Sequence, residues 1–218
     1  ALPLHHSCGG STVATVQYLY KLYPDAIHHV TRSGGFYPVH YTIGSMDVRD
    51  DPTTAVDIVK FLLDCDPNVK FQKVAGVFLL RAACELEPND SNIEAGIQII
   101  KEIYDAYPEA IEDNRFASNI PDCHQQVQVF IHSQLAYSRQ AKNLGLMMTP
   151  DSNGRLPLHT ALQNNVRLGS IKLLVKGNPS AVRIFDNSGK IALHMACQYH
   201  DATSVVQFML SLDETILD

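Results

Sequence analysis

The chain has 218 residues, of which 45% are hydrophobic and 18% charged, a balance typical of folded globular proteins rather than disordered ones. Its formal net charge of −6 has the wrong sign for a general nucleic-acid binder. No apolar run reaches the roughly 18 residues that a transmembrane helix needs. Composition therefore excludes these classes, and it leaves the chemistry of the protein open.

The five cysteines lie at irregular spacing, at positions 8, 65, 84, 123 and 197. None of them forms a Cys-x-x-Cys pair, which removes the strongest sequence signals for zinc and redox chemistry. We therefore predict reduced, structural thiols and an intracellular, cytoplasmic location. The sequon at Asn89 is too short a pattern to change this prediction.

The chain repeats itself, and successive key positions are 35–42 residues apart. In the clearest copies a glycine stands five residues before a key position that is most often histidine. These copies reach their key positions at His40, Arg81, His159 and His194, an incomplete first copy reaches His5, and Cys123 fits a further copy in the long gap between Arg81 and His159.

Each copy has the same order of elements. The glycine suits a tight turn, and a proline such as Pro157 suits the first turn of a short helix. After a polar break, a second helix carries apolar residues at helical spacing, as Ile171 and Leu174 do, and Asn178-Pro179 ends it. One helix pair has too little core to stand alone. We therefore predict an all-α solenoid of stacked helix-turn-helix repeats, with short hairpin-like turns.

Two segments carry a resemblance to a known family. Asp151-Ser-Asn-Gly-Arg-Leu-Pro-Leu-His159 and Asp186-Asn-Ser-Gly-Lys-Ile-Ala-Leu-His194 resemble the turn and first helix of the ankyrin repeat, and the resemblance extends over essentially the whole chain. The ending Tyr-Pro-x-Ala-Ile, at 23–27 and 107–111, is similar to large algal ankyrin arrays. The threonine that bonds the repeat histidine in that family is absent here. Each histidine must therefore find a different, backbone acceptor.

The pattern divides the chain into one array of six approximate repeats, at 1–31, 32–72, 73–113, 114–150, 151–185 and 186–218. The second and third repeats carry extra residues, around 45–54 and 85–94, which we expect to be surface loops or helix extensions. The fourth has no glycine or proline from 122 to 144, so its helix break is left open. Because the array begins within a motif and stops at Leu217-Asp218, where a turn would start, we expect a piece of a longer array that frays or self-associates at its ends.

The recurrent histidines and cysteines allow a metal or catalytic interpretation and a structural one. Equivalent positions of stacked helices lie about 10 Å apart, whereas a metal ion needs its ligands at about 2 Å. We therefore predict structural histidines at the key positions 5, 40, 159 and 194. We also predict structural cysteines at 8, 84 and 197, on the apolar face of the first helix. No catalytic residue, metal or cofactor is expected, and the acidic loop at 47–51 lacks the ligand spacing of a calcium site.

The ankyrin resemblance implies contact positions just after the turn glycine and at the end of the first helix. In this chain they are Phe36, Gly44 and Ser45 in the second repeat, Val77, Glu85 and Leu86 in the third, Arg155, Gln163 and Asn164 in the fifth, and Lys190, Gln198 and Tyr199 in the sixth. Arg155 and Tyr199 are residue types enriched at hot spots. We expect that replacing them leaves the protein folded.

The resemblance implies a non-catalytic module or scaffold that binds a partner protein of unknown identity. No nucleic acid, membrane insertion or small-molecule substrate is expected. The alternative is a targeting or regulatory ankyrin region of a larger enzyme or membrane protein whose active domain lies outside this chain. A further alternative is that the array is itself an enzyme acting through its cysteines and histidines.

Charge is distributed unevenly along the chain. Residues 151–190 contain six lysines and arginines but only two aspartates. The segment could form a basic patch for an acidic partner, or it could be the solvated face of a second helix, on which Lys172 and Lys176 stand four residues apart. The sequence leaves both interpretations open.

Overall fold

A computed structural model describes residues 1–71, 73–74, 77–85, 92–113 and 123–212. These residues form α-helices, short 3-10 turns and one two-stranded hairpin. The helices are α1 (Pro3–Cys8), α2 (Val13–Leu22), α3 (Pro38–Gly44), α4 (Thr53–Cys65), α5 (Leu79–Cys84), α6 (Ile93–Ala106), α7 (Gln125–Lys142), α8 (Leu144–Met148), α9 (Pro157–Gln163), α10 (Leu168–Gly177), α11 (Ala192–Tyr199) and α12 (Thr203–Ser211). The strands are β1 (Lys73–Val74) and β2 (Val77–Phe78), paired antiparallel with Val74 opposite Val77.

The first helix of a repeat begins at its proline. The proline lacks an N–H, but N–H groups in the first turn of a helix have no acceptor within the helix, so no hydrogen bond is lost. Pro3, Pro38 and Pro157 each occupy the first turn of such a helix. The second helices are longer and amphipathic. In α4, for example, Ile58, Val59 and Leu62 are buried and face the neighbouring helices.

The chain consists of two compact units, Ala1–Ile131 and His132–Asp218. In the first unit α1 packs on α2 and α3, and the second helices α2, α4 and α6 pack in succession. In the second unit α9 packs on α10 and α11, and α10 packs on α12. First helices thus stack on first helices and second on second, so the predicted all-α solenoid fold is confirmed.

The turns have the backbone that the glycine pattern predicts. Gly35, Gly154 and Gly189 have φ of 68°, 74° and 75°, the left-handed region that glycine adopts without a steric cost. At Gly154 a side chain would also collide with the next turn, because a Cβ atom there would lie 2.4 Å from Oδ1 of Asn187. The Asn187 N–H donates to the carbonyl of Asn153 at 2.9 Å, so the two turns are in direct contact.

The fourth repeat departs from a regular helix pair. Gln125–Lys142 is one helix of 18 residues, followed by the five-residue α8. The absence of glycine and proline from this stretch lets the helix continue where other repeats break.

The inserted segment of the second repeat is a structured part of the fold. Met46–Val48 forms a 3-10 turn in which Met46 is buried, and α4 begins at Thr53. The Arg49 guanidinium donates from Nη1 to the carbonyl of Ser11 at 3.0 Å and from Nη2 to that of Cys8, the last residue of α1. The insertion therefore satisfies carbonyls at the C-terminal end of the first helix of the preceding repeat.

Several predictions concern positions outside the described residues. They are the turn glycine Gly76, the contact position Leu86, the sequon at Asn89, most of the segment 85–94, Pro121 and Asp122 before Cys123, and the end of the chain at Leu217-Asp218.

Candidate functional site

Two turns of the second unit have the same geometry. In each, an aspartate side chain accepts backbone N–H groups of its own turn. Oδ1 of Asp151 accepts from Asn153 and Arg155, both at 2.8 Å, and Oδ1 of Asp186 accepts from Ser188 and Lys190, both at 2.9 Å. The repeated Asp-x-x-Gly pattern therefore holds Arg155 and Lys190 at equivalent places, one after each turn glycine.

The structure joins these turn residues to the ends of the first helices. Arg155 Nη1 donates to Oε1 of Gln163 at 2.7 Å, and Lys190 Nζ donates to Oε1 of Gln198 at 2.7 Å. In each repeat the partners are eight residues apart. Four of the contact positions that the sequence predicts thus pair in the same way in two successive repeats.

Arg155 is also bound to the following repeat. Its Nε lies 3.4 Å from Oδ2 of Asp186, whose side chain is only 1% exposed. The Lys190 N–H, the Ser188 side chain and N–H, and the Arg155 guanidinium together hold the pKa of Asp186 well below its usual range. Arg155 is therefore a structural contact between repeats as well as a candidate contact position.

The neighbouring candidates differ in exposure. Asn164 and Gln198 are exposed, whereas Tyr199 is half-buried and packs against the core of the second unit. Asn164 and Arg155 line an open cleft of about 430 Å³ together with Tyr137, Leu146 and Thr160. Replacing Tyr199 is thus expected to remove core packing, a consequence that the sequence alone does not indicate.

In the first unit Phe36 and Ser45 line one cleft of about 570 Å³ with His40 and Tyr41. Phe36 is 42% exposed, and Ser45 donates from Oγ to the carbonyl of Thr42. The lining is mostly apolar and has no charged residue among those described.

The candidate contact residues of the third repeat are Val77 and Glu85. In the described part of the chain they form no hydrogen bond with each other. Val77 is half-buried in β2. Glu85 follows α5 and accepts from Nε of Arg81 at 2.7 Å, one helical turn back along the chain.

The key histidines take the place of a capping-box side chain. Nδ1 of His5, His159 and His194 accepts the N–H of the residue before the helix, Leu2, Leu156 and Ile191 respectively, each at 3.2 Å. Nε2 of His5 donates to the carbonyls of His29 and Phe36, and Nε2 of His159 donates to that of Ile184 at 3.0 Å. The predicted backbone acceptors are confirmed for these two rings. Desolvation lowers the pKa of both.

His40 and His194 differ from this pattern. Both ring nitrogens of His40 are buried without a hydrogen-bond partner among the described residues, and burial lowers the pKa of His40 to about 4. His194 is exposed and keeps only the Nδ1 bond.

The cysteine prediction holds for two positions and is wrong for the third. Cys8 and Cys84 are fully buried, and burial raises the pKa of the Cys8 thiol to about 11. Cys197 is exposed on α11. The reason is that α3 covers α1, whereas in the described part of the chain no further first helix packs on α11.

Among the described residues, no group of three or more His, Cys, Asp or Glu side chains could hold a metal ion. None of the described helices combines the length and the apolar character needed to cross a membrane.

Comparisons with known proteins agree with the repeat geometry. Residues 121–217 match a family model of ankyrin repeats in three copies. This part of the chain belongs to the ankyrin-repeat family. Ankyrin repeats generally mediate protein–protein interactions.

No curated protein matches the sequence. A solved structure, described as the predatory endopeptidase Bd0816 of Bdellovibrio bacteriovorus in complex with the immunity protein Bd3460, aligns with 16% identity over 97% of each chain. The TM-score is 0.37, so this likeness carries no argument about fold or function.

Proposed function

We propose that this protein is a non-catalytic recognition module that binds a partner protein through its turns and the ends of its first helices. The candidate contact residues are Phe36, Ser45, Val77, Glu85, Arg155, Gln163, Asn164, Lys190, Gln198 and Tyr199. The residues that support the surface are the buried histidines and the turn aspartates, and these hold it in one conformation before the partner arrives. Such preorganisation keeps the entropic cost of binding low.

One observation carries this proposal. The bonds from Arg155 to Gln163 and from Lys190 to Gln198 have the same acceptor atom, Oε1, and the same length, 2.7 Å, in two successive repeats. The backbone turns that hold the two bases are also the same. A surface on which equivalent side chains recur in register suits a partner segment that runs along successive repeats.

Site-specific photo-cross-linking tests the proposal in the cells that make the protein. A photoreactive phenylalanine analogue is placed at Gln198, the last residue but one of α11, or at Gln207, an exposed glutamine of the second helix α12. We expect a covalent adduct with one partner protein from position 198 and none from position 207. The partner, once purified, should bind the Gln198→Ala variant about tenfold or more weakly than the unmodified protein.

The opposite results would overturn the proposal. Adducts that form from position 207 and not from 198 would place the interface on the second helices. Unchanged affinity of Gln198→Ala and Asn164→Ala for the purified partner would exclude the surface described above.

A further inference from the structure

The two glutamines of the contact surface have fixed orientations. Guanidinium and ammonium groups only donate hydrogen bonds, so each carboxamide must turn its oxygen towards the base. Oε1 of Gln163 therefore faces Arg155, and Oε1 of Gln198 faces Lys190. Nε2 of each glutamine then faces away from the base, with two N–H donors and no partner among the described residues.

Of the two basic side chains on this surface, Arg155 and Lys190, only Arg155 is paired with a carboxylate among the described residues. Asp151 and Asp186 are the only acidic residues of the stretch 151–199, and their carboxylates accept N–H groups within the turns. Asp186 also pairs with Arg155. The Lys190 ammonium has no carboxylate partner in the described part of the chain, and its only hydrogen bond there is the one to Oε1 of Gln198. The free polar groups of Gln163 and Gln198 are therefore N–H donors, and the positive charge of the Lys190 ammonium is not paired with a carboxylate in the described residues.

We infer that Gln163, Gln198 and Lys190 form a docking surface for an extended, acidic segment of the partner protein. The carboxylates of that segment accept hydrogen bonds from the two Nε2 groups and pair with the Lys190 ammonium. Arg155 and Lys190 also act as positioning residues, because they set the direction in which each glutamine donates. This inference rests on the proposed function and specifies the chemistry of the partner.

Charge complementarity favours an acidic peptide over a nucleic acid. The surface offers two bases, one of them already paired with Asp186, whereas nucleic-acid affinity depends on several phosphate contacts with lysine or arginine. The whole chain also carries a net charge of −6. A peptide carboxylate needs only two neighbouring donors, which one glutamine and one lysine supply.

Nuclear magnetic resonance of the full-length, ¹⁵N-labelled chain tests the inference with hexaglutamate as the probe. We expect saturable shifts of the side-chain amide signals of Gln163 and Gln198, weaker at higher salt, and none at Gln207. Hexaglutamine, which lacks the charge, should shift none of them. Oligothymidylate, an anionic polymer of another class, should bind at least about tenfold more weakly than hexaglutamate.

The same substitution at two exposed glutamines supplies the matched control. Gln198→Glu places a carboxylate beside Lys190 and should weaken hexaglutamate binding at least about tenfold. Gln207→Glu adds the same charge to the second helix and should leave the affinity within a factor of two, about 0.4 kcal/mol. Thermal unfolding of both variants verifies that each is folded.

Three results would overturn the inference. They are an absence of amide shifts at 163 and 198, equal weakening by the two glutamate substitutions, and tighter binding of oligothymidylate at the same amides. The cross-linking experiment does not depend on charge, so a partner adduct at position 198 without hexaglutamate binding would leave the proposed function standing. Hexaglutamate binding without such an adduct would contradict the proposed function instead.

Discussion

At the scale of the residue, His159 connects two parts of the fold through one ring. Nδ1 accepts the Leu156 N–H at the start of α9, and Nε2 donates to the Ile184 carbonyl at the beginning of the next turn. His194 makes only the first of these bonds and is exposed. The two histidines share a motif and differ in burial, so they form a natural pair for mutation.

We expect His159→Ala to lower the free energy of unfolding by about 1–3 kcal/mol, because it removes two hydrogen bonds and a buried ring. His194→Ala should lower it by less than about 1 kcal/mol. Urea denaturation followed by circular dichroism measures both. Equal losses would contradict the structural role of the Nε2 bond.

His40 predicts a pH dependence. Its pKa is lowered to about 4 in the fold, whereas an unfolded chain has a histidine pKa near 6.5. Between these values the unfolded state binds a proton that the folded state excludes, so stability falls as the pH falls. The slope from this one group is at most about 1.4 kcal/mol per pH unit, and the loss is complete below pH ~4.

The substitution His40→Phe isolates this contribution from that of the carboxylates. At pH 7 the variant should be as stable as the unmodified protein or more so, because it removes a buried imidazole without a hydrogen-bond partner. Between pH 7 and pH 4 the unmodified protein should lose a few kcal/mol relative to the variant. Urea denaturation at each pH measures the free energy of unfolding of both proteins. If the two free energies changed with pH by the same amount, the lowered pKa of His40 would be contradicted.

At the scale of the element, the inserted segment is fastened to the preceding repeat. Arg49 reaches the carbonyls of Cys8 and Ser11 at the end of α1, where unpaired carbonyl groups carry partial negative charge. Arg49→Ala should therefore lower the free energy of unfolding by about 1–3 kcal/mol. The exposed Arg32 provides a control, and Arg32→Ala should change stability by no more than about 0.5 kcal/mol. If Arg49→Ala and Arg32→Ala shifted the denaturation midpoint equally, the stabilising role of Arg49 at the end of α1 would be contradicted.

The Arg155 side chain contributes to the contact between the turns of the fifth and sixth repeats. Arg155→Ala leaves the buried Asp186 carboxylate without its guanidinium partner. We expect a loss of about 1–2 kcal/mol in the free energy of unfolding, in contrast to the expectation from sequence that this residue could be replaced freely. Lys190→Ala, which breaks one exposed hydrogen bond, should cost no more than about 0.5 kcal/mol. A melting temperature unchanged in Arg155→Ala would show that the backbone N–H groups alone stabilise Asp186.

At the scale of the whole molecule, the two compact units differ in net charge and in the regularity of their repeats. The unit Ala1–Ile131 has nine lysines and arginines against 17 aspartates and glutamates, and the unit His132–Asp218 has eight against six. The net charges are therefore −8 and +2. The regular Asp-x-x-Gly turns lie in the unit with the positive charge, and so does most of the segment 121–217 that matches the ankyrin model.

We expect the purified protein to contain no stoichiometric zinc, because the nitrogens of His5 and His159 are engaged with backbone groups and Cys8 and Cys84 are buried. Addition of EDTA should leave the melting temperature unchanged. One zinc ion per chain by elemental analysis, or a fall in melting temperature with EDTA, would contradict this prediction.

The repeat framework can be predicted from the amino-acid sequence. A glycine with φ near 75°, a proline in the first helical turn and a histidine two residues later are local requirements of one turn and one helix, so they recur in the chain as a readable pattern. Through the ankyrin resemblance, the same pattern predicts contact positions from Arg155 to Tyr199. The absence of the family threonine correctly predicted backbone acceptors for His5 and His159.

The contacts of the individual side chains, in contrast, follow from how the repeats pack in three dimensions. Arg49 reaches α1, and Arg155 pairs with Asp186, across 31 to 41 residues of the chain. The exposure of Cys197 and the lack of a hydrogen-bond partner for the His40 ring depend on which segments pack around them. A repeat pattern records the conformation that successive repeats share. It does not record which neighbour covers a given side chain, because stacking, insertions and helix ends differ from one repeat to the next.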